Sequence, residues 1–102
     1  MMEAVSMDDL DRKLQDSPFV LLDFSSPGCA PCGKIAEALP ALLAELRSAP
    51  PAAYEVDITR EPAIAAKFFV LGVPTLILFK DGREIARFNS LPKRDTIERL
   101  LS

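Results

Sequence analysis

Three observations predict an α/β layer architecture. Two short strand-like runs, over 19–24 and 52–57, are separated by a long helical pattern, as in parallel strands joined by a crossover helix. Two further strand-like runs, 75–80 and 83–88, bracket Asp81-Gly82, a favoured two-residue hairpin turn. Helical stretches precede, separate and follow these runs. The order strand–helix–strand–helix, then a hairpin and a helix, sets helices against a sheet whose hairpin supplies an antiparallel edge.

The elements follow in chain order. Ser6 precedes Met7-Asp8-Asp9-Leu10 and is an expected N-cap, with acidic residues in the first turn. Leu10 and Leu14 recur at helical spacing, so a first helix is expected over about 7–16. Phe19-Val20-Leu21-Leu22-Asp23-Phe24 is almost continuously apolar and reads as a strand buried on both faces. From Cys29 to about Arg47, the residues Ile35, Leu39, Leu42, Leu43 and Leu46 form one helical stripe. Pro40 lies inside that stripe, and its phase continues across the proline. A kink near 36–40 is therefore expected, and not two helices. Ser48-Ala49-Pro50-Pro51 ends the helix, and 52–57 is a second parallel strand. Pro62 suits the first turn of a helix over about 61–70. The run 83–88 alternates imperfectly, which suggests an edge strand or a bulge. A last helix spans about 92–101, with Ile97, Leu100 and Leu101 facing the core.

With 102 residues, 49% hydrophobic and 26% charged, the chain is expected to form one domain, 1–102, around one core. A net charge of −3 and the lack of a basic block argue against nucleic acid. No apolar run approaches the roughly 18–20 residues that span a bilayer, so no membrane association is expected. The opening Met1-Met2-Glu3-Ala4-Val5 lacks the basic and apolar regions of a secretory leader, and a reducing cytoplasm is the expected compartment. The absence of histidine excludes Ser-His-Asp and Cys-His catalysis. Two cysteines supply only half of a tetrahedral zinc site. No metal or other cofactor is expected within one chain; a metal site shared between two chains stays open.

Those two cysteines carry the chemistry. Cys29 and Cys32 sit at the junction between the first strand run and the long helix. Residues at i and i+3 on a helix share a side, about 5–6 Å apart, a separation that a disulfide tolerates. So small a loop constrains the unfolded chain little. The pair reads as reversible chemistry, not as a staple. Cys29 is the expected nucleophile, because unpaired N–H groups and the dipole of a helix N-terminus favour its thiolate. Cys32, one turn in, is the expected resolving thiol. Pro31 stiffens the loop and offers no N–H. Asp23 interrupts an apolar strand; it is either buried, with its proton affinity raised, or at a strand end with its head in solvent. Phe68 and Phe69 are expected in the core, Lys34 on a solvated helix face.

Four short pieces in order, Leu22-Asp23-Phe24, Cys29-Ala30-Pro31-Cys32, Gly72-Val73-Pro74-Thr75 and Phe79-Lys80-Asp81-Gly82, resemble the thioredoxin family over nearly the whole chain. The resemblance implies the thioredoxin fold: a central mixed sheet of about five strands flanked by about four helices. It implies a cis bond before Pro74 and a buried Asp23 that relays a proton to and from Cys32. It also implies a substrate surface from Gly28, Ala30, Pro31, Val73 and Pro74, with Leu71 and Pro27 in an apolar patch around it. The chain departs from the family pattern in several places. Gly28 stands where a tryptophan is usual, Ala30 where glycine is commoner, and Asn89 where a glycine of the partner surface is common. The lysine that often faces the aspartate is missing, with Ala53 at the nearest aligned position.

The expected function is thiol–disulfide exchange with protein substrates through Cys29 and Cys32, mainly as a reductant. Expected partners are disulfide-containing proteins and a reductase or other dithiol donor, with the chain a monomer. The altered partner surface motivates one alternative, a binding or adaptor module on the same fold with weak or no catalysis.

Overall fold

The computed structural model describes residues 2–102; Met1, which opens the run read above for a leader, lies outside them. The elements are β1 (Glu3–Ala4), α1 (Leu10–Gln15), β2 (Phe19–Ser25), α2 (Ala30–Ala44), β3 (Ala52–Asp57), α3 (Pro62–Lys67), β4 (Thr75–Lys80), β5 (Arg83–Phe88) and α4 (Arg94–Leu101). A five-stranded sheet runs in the order β1-β3-β2-β4-β5. The pairs β1·β3 and β3·β2 are parallel, and β2·β4 and β4·β5 antiparallel. Among the described residues, no helix is long and apolar enough to cross a membrane.

The side-chain alternation of β2 and β4 divides the core. Val20, Leu22, Phe24, Ile77 and Phe79 pack on one face with Leu10 and Leu14 of α1 and Ile64 of α3. Leu21, Leu76 and Leu78 pack on the other with Ile35 and Leu39 of α2 and Ile97 and Leu101 of α4. The apolar run of β2 is continuous because both its faces are covered. Asp23 shares the face of Leu21, so its carboxyl lies under α2.

Helix α2 continues through Pro40 as one element. The proline costs about 3 kcal/mol or more. Burying Ile35 and Leu39, which are 5% and 1% exposed, contributes roughly 1.5–3 kcal/mol each. The half-buried Leu42, Leu43 and Leu46 add to that, and packing wins. The hairpin turn places Asp81 and Gly82 both at positive φ, 50° and 81°, as a type I′ turn requires. The β4·β5 ladder carries an irregularity at Leu78/Phe79, and β5 is an edge strand, in keeping with the imperfect alternation of 83–88.

Three local expectations need correction. Ser6 does not cap a backbone N–H. The first helical segment opens as a 3-10 turn, Met7–Asp9, in which the Asp9 N–H goes to the Ser6 carbonyl at 3.1 Å. The Ser6 hydroxyl is left to donate to the Asp9 carboxylate at 3.5 Å. The short β1 falls in a segment with no strand signal, since two residues show no alternation. Helix α3 stops at Lys67, and Phe69 is 80% exposed instead of joining the core. The cause is a Schellman closure. Val70 N–H donates to Ala65 O at 2.8 Å and Phe69 N–H to Ala66 O at 3.2 Å, with Phe69 at φ +54°. That turn swings the Phe69 side chain outward. Phe68 stays inside, edge-to-face with Phe24 and Phe79. A left-handed conformation costs a non-glycine residue roughly 1–2 kcal/mol, and the exposed ring returns little of it. Phe69→Gly is therefore expected to stabilise the fold by about 1 kcal/mol, read as a higher urea midpoint with an unchanged m-value.

Candidate redox site

The site lies where the C-terminal end of β2 hands the chain to α2. Gly28 sits just before Cys29 at φ +78°, a conformation L side chains rarely adopt. Cys29 is then the extended N-cap of α2, at φ −88° and ψ 101°. Its Sγ accepts the Cys32 backbone N–H at 3.2 Å, and its carbonyl accepts the Gly33 N–H at 3.2 Å. The leading sulfur thus meets one of the free N–H groups of the helix start, and Pro31 in the first turn has none to give. Cys29 and Cys32 are joined in a disulfide with Cα atoms 5.3 Å apart. Cys29 is partly exposed, while Cys32 is 5% exposed.

Beneath the pair is an open cavity of about 260 Å³, bounded by Gly28, Cys29, Cys32, Ser25, Asp23 and Glu55 among others. Asp23 is 1% exposed, and its Oδ1 has no hydrogen-bond partner. Burial, and secondarily the negative charge of Glu55, push its pKa up from 3.8 to about 6. Ser25 Oγ donates to Glu55 Oε1 at 3.2 Å. The register sets Glu55 directly beside Asp23, whereas Ala53 pairs with Leu21. Glu55, and not Ala53, is therefore the residue facing the aspartate. Among the described residues, no group of three or more His, Cys, Asp or Glu is arranged to hold a metal ion.

The Val73–Pro74 bond is cis. Thr75 pairs with Phe24, so Pro74 falls level with the end of β2 that leads to the cysteines. Val73 and Pro74 are partly exposed and do not line the cavity; Gly28, Ala30 and Pro31 are exposed, and Leu71 is 98% exposed. Two fasteners of this loop have no counterpart in the sequence reading. The buried Thr75 hydroxyl donates to Gly72 O at 2.7 Å and accepts from Asn89 Nδ2 at 3.4 Å. Arg87 donates to Phe68 O at 2.7 Å and Phe69 O at 3.3 Å. A threonine opening a strand and an arginine on an edge strand carry no sequence signal of this kind; only the fold brings them to the loop.

The arrangement offers a disulfide with one accessible sulfur, a second sulfur held inside, and a carboxyl of raised proton affinity behind it. Comparison with known proteins agrees with that chemistry. The family model described as Thioredoxin matches residues 1–102. A thioredoxin from Chlamydia muridarum (strain MoPn / Nigg) is 38% identical over 102 residues, covering all of this chain and 97% of the relative. One from Staphylococcus aureus (strain Mu50 / ATCC 700699) is 32% identical over 93 residues, covering 91% of this chain and 88% of the relative. Among solved structures, a mutant thioredoxin from Halobacterium salinarum NRC-1 superposes with a TM-score of 0.81 at 30% identity, covering 98% of this chain and 86% of that one.

Proposed function

We infer, because this chain belongs to the thioredoxin family and is a thiol–disulfide oxidoreductase of that fold with a C-x-x-C pair, that Cys29 attacks and Cys32 resolves. In the reduced protein the Cys29 thiolate attacks one sulfur of a substrate disulfide. A Cys29–substrate disulfide forms and the other substrate sulfur leaves as a thiolate. Asp23, ionised, takes the proton from the Cys32 thiol, directly or through water in the cavity. The Cys32 thiolate then attacks Cys29 Sγ, the substrate's second sulfur leaves, and the intramolecular disulfide closes. Two electrons have passed from the dithiol to the substrate. The observation that carries this reading is the asymmetry of the pair: Cys29 partly exposed at the helix N-cap, Cys32 buried one turn in, and Asp23 on the cavity behind them.

Gly28, Ala30 and Pro31 on one side, and Val73 and Pro74 on the other, form the substrate surface, with the Val73 backbone pairing to an extended segment. In general terms the partners of a thioredoxin are disulfide-bearing proteins and a reductase. For this chain we assign the net direction as reduction of substrates, the compartment as a reducing cytoplasm, the working form as a monomer and the whole of 1–102 as one domain. An insulin-reduction turbidity assay driven by dithiothreitol tests the activity. Turnover above the dithiothreitol background is expected; a rate equal to that background would instead mark an adaptor on the same fold.

A further inference from the structure

The cavity behind the cysteines is bounded by two carboxylates and, among the described residues, by no lysine or arginine. Glu55 of β3 stands beside Asp23 of β2 in register, on strands whose usual spacing is about 4.8 Å. The Ser25 hydroxyl holds the Glu55 carboxylate at the cavity wall, 3.2 Å away. Asp23 is 1% exposed and one of its oxygens has no partner. Its other neighbours bring no compensating charge. Strand β4 sets Leu76 opposite it, and α2 contributes Cys32, Gly33 and Ala36 to the cavity. Lys34, on the same helix, is exposed and does not line the cavity.

The geometry points to Glu55 as a positioning residue for disulfide exchange, one whose charge sets the pH at which Asp23 exchanges its proton with the Cys32 sulfur. This rests on the reading of Asp23 as the proton relay. A like charge held nearby disfavours ionisation of a carboxyl, and Glu55 adds to the larger effect of burial. When the protein reduces a substrate, Asp23 must be ionised to take the Cys32 proton, and Glu55 shortens that range from its acid end. When a substrate thiolate attacks Cys29 of the disulfide, Cys32 leaves as a thiolate and takes the proton from neutral Asp23. Glu55 extends that range towards neutral pH. Glu55 thereby moves the pH ranges of both steps upward together, while the net direction is left to the potential of the substrate relative to the dithiol.

The test is carbon-13 NMR titration of the Asp23 carboxyl in the oxidised full chain, for the parent, Glu55→Gln and Glu55→Lys. Asp11→Asn, an equal loss of negative charge on α1, is the control. The Asp23 midpoint is expected to fall by about half to one pH unit in Glu55→Gln and by about 1–2 units in Glu55→Lys, with Asp11→Asn unchanged. The acid limb of the insulin-reduction rate is expected to move the same way, which a purely structural effect of the substitutions would not produce. Glu55→Gln is close to isosteric and keeps the experiment informative where the lysine variant folds poorly. Coincident midpoints in the parent and both Glu55 variants would overturn the inference. A midpoint that moves while the rate limb stays fixed would remove Asp23 from the relay, and with it the positioning role of Glu55.

Discussion

Cys29→Ser is expected to reduce insulin disulfides no faster than dithiothreitol alone and to form no covalent adduct with substrate. Serine cannot form the mixed disulfide, so nothing else in the site compensates. Cys32→Ser is expected to fail differently. Its Cys29 still attacks, but the resolving sulfur is gone, so a substrate–protein disulfide accumulates and is released by added thiol. The two variants together assign the roles, since Cys29 is partly exposed and Cys32 is 5% exposed. Non-reducing gels and intact-mass measurement read the adduct. An adduct with Cys29→Ser and none with Cys32→Ser would reverse the assignment.

Asp23→Ala is expected to make the protein more stable and less active at neutral pH. The carboxyl is buried with an unpartnered oxygen, so the substitution loses no side-chain hydrogen bond through that oxygen. Its pKa rises from 3.8 to about 6 on folding, chiefly through burial and secondarily through Glu55. Over that interval the folded chain holds a proton that the unfolded chain has released, so stability falls as pH rises through it. Above about pH 6 the full penalty is present; below about pH 4 there is none. The rise is roughly two units, or about 3 kcal/mol. Asp23→Ala should therefore gain about 2–3 kcal/mol at pH 7, read by urea unfolding, and nothing at pH 3.5. Removing a positioned base should also slow release of the mixed disulfide, by up to about 10²-fold. A gain that persisted unchanged at pH 3.5 would mean that the aspartate destabilises the fold for a reason other than its charge.

The strand run containing Asp23, the Asp81-Gly82 hairpin and the Cys29–Cys32 junction were legible because each is written locally. An apolar run long enough to need cover on both faces, a turn requiring positive φ and a pair of thiols one helical turn apart all show in a few consecutive residues. The end of α3 was not legible. The apolar pattern continues into Phe68 and Phe69, and a phenylalanine at a left-handed position gives none of the warning that a glycine would. The neighbour of Asp23 was missed for a different reason. Strands β2 and β3 are joined through α2, so no turn sets their register. A slip of two residues keeps every side chain on its own face while exchanging Ala53 for Glu55. That slip hides a negative charge on the cavity wall at the position where the resemblance places a positive one.

The most direct measurement is the rate of iodoacetamide alkylation of each thiol in the fully reduced protein, followed by peptide mass analysis from pH 5 to 9. A helix N-terminus that favours the thiolate at its cap predicts Cys29 modified first, and several-fold faster at neutral pH than free cysteine, with Cys32 protected in the folded chain. Equal modification of both positions, or a Cys29 rate no higher than that of free cysteine across the range, would contradict the account.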